Sequence, residues 1–167
     1  LALKVYLYGP YANGSGLMGD ALRDRSFIPV DEPYSMAPFN YEYKGLPRDG
    51  DIDDVSIFNT TGDDAIVDWV IVELRHATED TVMHSTSALL QRDGDIVALD
   101  GVSNLKIAGV PADDYYVAVG HRNHLKVRSS STLALSPSST AYDFTTSLGQ
   151  AYDNASVTSN DAMIEFA

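Results

Sequence analysis

Apolar and polar residues alternate with period two along much of the chain, the mark of half-buried β-strands. "LALKVYLYG" (Leu1 to Gly9) alternates and stops at Gly9-Pro10, so it reads as a strand. "AIVDWVIVELRHA" (Ala65 to Ala77) is the strongest segment. Ile66, Asp68, Val70, Val72 and Leu74 fall on one face, and Val67, Trp69, Ile71, Glu73 and Arg75 on the other. Both faces are apolar through its middle, which predicts a central strand. "TVMHSTSALLQRDGDIVAL" reads as two strands around Asp93-Gly94, a dipeptide suited to a tight hairpin. "NLKIAGVPADDYYVAVGHR" predicts a short strand, a turn over Pro111 to Asp114, and an alternating strand from Tyr115. "STLALSP" supplies another strand, ended by Pro137. Helical spacing occurs only in "SGLMGDALRDR", giving one short helix near residues 16–25.

Short strands at regular intervals with turn signals between them predict an all-β fold, an antiparallel β-sandwich. The expected organisation is a single domain over residues 1–136 with a loop-rich insertion at about 27–64. A C-terminal extension follows over 137–167, with a terminal strand in "AMIEFA" at 162–167.

Composition narrows the function classes. The chain has 24 acidic and 11 basic side chains, a net charge of -13, and lacks the basic footprint that nucleic acid requires. With no cysteine there are no disulfides, thiolate metal sites or cysteine nucleophile. No apolar run approaches the roughly 20 residues of a membrane-spanning helix. The start at Leu1 reads as a mature or excised piece of a longer product, and sequons at Asn13, Asn59 and Asn154 permit glycosylation of a secreted protein.

Three constellations carry candidate chemistry. In "RDGDIDDVS" (Arg48 to Ser56), Asp49, Asp51 and Asp53 alternate as the first three oxygen ligands of a calcium loop would, which points to a structural calcium as cofactor. Asp54 stands where such a loop has Gly, and Thr60 where it has Glu, so a solvated acidic loop competes with calcium and is favoured. Tyr41 and Tyr43 alternate with Phe39, and would either stack on sugars or line a half-buried strand, the latter favoured. "GHRNHL" ends the strand from Tyr115 with His121, Arg122, Asn123 and His124. A zinc site needs about three converging ligands, and strand residues three apart point to opposite faces. The favoured reading is that these groups satisfy backbone atoms and pair with a nearby Asp. No Gly-x-Ser-x-Gly elbow, phosphate loop or dinucleotide fingerprint is present, so the chain is read as non-catalytic.

Residues 65–127, with "WVIVELR", "RDGDI" and "GVPADDYYVAV", resemble part of a prealbumin-like or Cna B-type sandwich, a fold class that includes Ig-like variants. A wider resemblance rests on "KVYLYGPY", "GLMGDALR", "IPVDEPY", "AIVDWVIVELR", "SALLQRDGDIV", "GVPADDYYVAVGHRNHL" and "AYDFTTSLGQAY". In that order they are similar to a haemagglutinin-like module of secreted Bacteroidetes surface proteins. The resemblance implies an extracellular or cell-surface, non-enzymatic role.

Two functional expectations follow. The first is a structural or adhesive surface protein whose terminal strands, with Leu3, Val5 and Leu7 at one end and Ile164 and Phe166 at the other, either dock within their own subunit or pair with like subunits to build a polymeric fibre. The second is a carbohydrate-binding module of a secreted polysaccharide-degrading protein, holding surface glycans on Tyr41 and Tyr43.

Overall fold

A computed structural model describes residues 1–12, 14–45, 50–52, 54–136, 138 and 140–152. The fold is all-β, as the periodicity predicts. The strands are β1 (Ala2–Lys4), β2 (Tyr11–Ala12), β3 (Leu17–Met18), β4 (Ile66–His76), β5 (Val82–Gln91), β6 (Asp95–Val97), β7 (Asp113–His121), β8 (His124–Arg128), β9 (Leu133–Leu135) and β10 (Ala141–Asp143). One sheet runs β10-β1-β6-β5-β4-β7-β8, with β9 on the first residues of β7, and β2 pairs with β3 separately. All pairings are antiparallel except the parallel pair β1–β10.

The sheet curls until its ends meet. Thr140 Oγ1 donates to the Ala134 carbonyl at 3.2 Å, and the Ser130 amide, just past β8, donates to the Tyr142 hydroxyl at 3.2 Å. Inside the curl lies a core that includes Leu3, Val5, Val70, Val72, Leu90, Val117, Val119 and Phe144. A second core covers the outer face of β4–β6, where Ile28, Tyr34 and Ile52 from the loop-rich segment pack on Trp69, Ile71 and Leu89. Trp69 is fully buried there, and truncating it to Ala costs about 3–5 kcal/mol.

Local chemistry explains where the elements lie and where they depart from expectation. The hairpin at Asp93-Gly94 forms with Gly94 at φ 93°, a conformation that L side chains resist. β4 is central, as predicted, between β5 and β7. A register shift between Ile66 and Asp68 exchanges two of its residues, so Val67 enters the inner core and Ile66 the outer one, opposite to strict alternation. The helix shrinks to α1 (Ala21–Asp24), because Leu17 and Met18 pair with β2 and the Met18 amide donates to the Arg92 carbonyl at 2.7 Å. Asn104 to Val110 makes no strand, only a single bridge from Asn104 to Val97.

The sheet also runs on past residue 136. β10 lies beside β1, Phe144 is fully buried, and Ala151 bridges Ser129, so the packed unit continues beyond the expected boundary. The terminal strand expected at 162–167 lies outside the described residues.

Candidate functional site

β4 carries two carboxylates in an otherwise apolar run, and Asp68 and Glu73 are each 1% exposed. A buried carboxylate persists only with charged or hydrogen-bonding partners, and both have them. Asp68 accepts from Arg122 Nη2 at 2.6 Å and from the Trp69 amide at 2.8 Å, and faces His121 Nε2 at 3.2 Å. Glu73 accepts from Lys126 Nζ, from Arg75 Nη1 at 2.7 Å and from the Tyr41 hydroxyl at 2.9 Å. Each carboxylate thereby binds β4 to the β7–β8 hairpin, and Glu73 also holds the covering segment.

A third carboxylate, Glu32, is 4% exposed and organises that segment from within. It accepts from the Tyr43 hydroxyl at 2.6 Å and from the amides of Tyr34 and Ser35 at 2.9 and 3.1 Å. Burial pushes the carboxyls of Glu73 and Glu32 up, but their donors outweigh it and hold both below the ordinary glutamate range. Burial and the adjacent Glu73 push the Tyr41 phenol up to about 12, so it remains a donor.

The polar end of β7 pairs with an Asp and a backbone group, as the sequence suggests. β7 and β8 form a hairpin with His121 opposite His124 and Arg122-Asn123 at its tip. This places both histidines on one side despite their separation of three, because the turn lies between them. Their Nδ1 atoms are 2.8 Å apart, the Asn123 amide donates to His121 Nδ1 at 3.2 Å, and His124 Nε2 lies 2.8 Å from the Tyr8 carbonyl. Burial, helped by the neighbouring His121, lowers the His124 pKa from 6.5 against the pull of the Tyr8 carbonyl and Asp68.

The other sequence candidates are scattered. Tyr41 and Tyr43 are half-buried and meet edge-to-face, with centroids 5.1 Å apart and planes at 71°, their hydroxyls directed to Glu73 and Glu32. Asp51 is exposed and bridges Asp31 through the backbone, while Asp49 and Asp53 lie outside the described residues. Among the described residues, no three His, Asp or Glu side chains converge as a metal-binding group. Leu3, Val5 and Leu7 are buried, and Leu3 is flanked by Ile96 on one side and Tyr142 on the other. Ile164 and Phe166 lie outside the described residues.

A cavity of about 460 Å³ opens beside Leu74, walled by Leu1, Leu105, Ile107, Val110 and Leu135. Sequence reasoning missed it, because its walls come from segments far apart in the chain. It also missed the roles of Asp68, Glu73 and Glu32. The usable signal was the presence of Asp and Glu inside a run that is apolar on both faces.

No family model, curated protein or solved structure matches the chain.

Proposed function

We propose that the chain is a non-catalytic module of a secreted surface protein, structural or adhesive in role. The observation that carries this reading is the internal use of its polar groups. Asp68, Glu73, Glu32 and His121 hold strands, hairpin and covering segment to one another, and their partners are the fold's own atoms, Arg122 Nη2 among them. A nucleophile or general base needs instead a side chain aimed at a place where substrate sits. The resemblance to haemagglutinin-like surface modules supports the same reading and the extracellular location.

The fibre form of this proposal shifts toward the C-terminus. Leu3 sits in a strand flanked on both sides within its own sheet, and donating it to a neighbour would break two pairings. Strand exchange between like subunits would therefore draw on Ile164 and Phe166. In the glycan form, the half-buried, mutually tilted Tyr41 and Tyr43 make a poor flat platform, and the more exposed Tyr152 and Phe27 are better placed to meet a sugar.

The test is to coat beads with the chain and measure their retention on bacterial surfaces and on a broad glycan array. The same preparation is assayed against glycoside, ester and peptide substrates. Retention without turnover is expected. Turnover proportional to protein concentration, abolished by Glu73→Gln in a folded variant, would overturn the proposal.

A further inference from the structure

Asp68, His121, His124 and the Tyr8 carbonyl form a line of four groups joined by three contacts, of 3.2, 2.8 and 2.8 Å. Both ends of the line are acceptors, since neither a carboxylate nor a carbonyl oxygen has a proton to give. Each contact is a hydrogen bond only if one proton lies in it, so the two rings must supply three. Two neutral imidazoles carry two. A neutral pair therefore leaves one contact as lone pair against lone pair. The line is complete only when the rings hold one proton beyond neutrality. The Asn123 amide identifies where that proton goes: it donates to His121 Nδ1 at 3.2 Å, which makes that nitrogen an acceptor. His121 then carries its proton on Nε2, toward Asp68, and His124 carries one on each nitrogen.

We propose that His121 and His124 bind one proton between them and act as an acid-closed clasp joining the β7–β8 turn to the turn at Tyr8. When His124 is neutral, its single proton serves either Tyr8 or His121, and one link stays open. Acidification closes both.

The surroundings set the range in which this happens. The charged and titratable groups around the pair are Asp68 from β4, Arg122 from the hairpin tip, and Tyr34 from the covering segment, whose hydroxyl donates to the Trp69 carbonyl at 2.8 Å. Arg122, 2.6 Å from Asp68, already matches that carboxylate. The added proton therefore brings a positive charge to a half-buried ring, and that burial keeps its uptake below the ordinary histidine value of 6.5. The clasp thus has a distinctive signature: acid tightens the contact at Tyr8 while lowering the stability of the whole fold.

The test is long-range proton–nitrogen correlation of the imidazoles in the isotopically labelled full chain, from about pH 8 to about pH 5, the range in which histidine titrates. EDTA is present so that no metal ion bridges the rings. In acid the pair should show three protonated nitrogens, with a coupling between the two Nδ1 atoms through their shared proton. The His124 ring should take up its proton with a midpoint below 6.5, and the Tyr8 carbonyl carbon should shift with it. His124→Gln should abolish the pH dependence of the Tyr8 shift. Four protonated nitrogens with the fold intact, or a Tyr8 carbonyl indifferent to pH, would each overturn the proposal.

Discussion

Tyr41 donates its hydroxyl to Glu73 over 2.9 Å, joining the covering segment to the central strand across 32 residues of sequence. Tyr41→Phe keeps the ring and removes only this bond. A hydrogen bond to a buried charged acceptor contributes about 1.5–3 kcal/mol. At roughly 2–4 °C per kcal/mol for a chain of this size, the melting midpoint should fall by about 3–12 °C. Differential scanning calorimetry checks this. Glycan retention, if it uses this ring, should survive Tyr41→Phe and be lost in Tyr41→Ala.

Stability should depend on pH in two steps. Burial lowers the His124 pKa below 6.5, so the folded state binds its proton less readily than the unfolded chain. The contribution of His124 is therefore complete above 6.5 and is lost as pH falls from there through its folded value. The carboxyls of Glu32 and Glu73 lie below 4.5 in the fold, so their contribution is complete above 4.5 and is lost at lower pH, through their folded values. Urea unfolding at a series of pH values should show a plateau above 6.5, a shallow decline below it and a steeper one below 4.5. Glu73→Gln should lower the plateau and flatten the acid limb, and an acid limb unchanged by that substitution would contradict the assignment.

Gly94→Ala tests the hairpin that the sequence announces. A Cβ there would lie 2.9 Å from Tyr6 Cε1 and 3.0 Å from the Val5 carbonyl, at a backbone φ of 93°. Strain of about 1–3 kcal/mol is expected for a side chain in such a conformation, before the contacts are counted. The variant should melt several degrees lower, whereas Gly62→Ala, which meets no neighbour within 4 Å, isolates the backbone part of the cost.

The elements legible in the sequence were those whose signal is local. The alternation in Trp69 to Leu74, the Asp93-Gly94 turn and the strand from Tyr115 each depend on neighbours within a few residues. Val67 and Ile66 were assigned to exchanged faces because a bulge shifts register without leaving a mark in hydrophobicity. β10 was hidden in a polar stretch, since a three-residue edge strand held by β1 needs little apolar character of its own. The polar network was illegible for a different reason. Asp68 meets Arg122 across 54 residues and Tyr41 meets Glu73 across 32, pairings that only the curled sheet and its cover bring about.

The buried polar groups of β4 hold the fold together, and Asp68→Asn removes the charge at the heart of one of these networks. Removing the charge leaves Arg122 beside a neutral amide in a buried place, a change that costs about 3–5 kcal/mol when a buried pair is broken. Thermal unfolding of Asp68→Asn against the parent chain should show a midpoint lower by roughly 6–20 °C, with bead retention at lower temperature unchanged. An unchanged midpoint accompanied by lost retention would show instead that Asp68 serves a ligand.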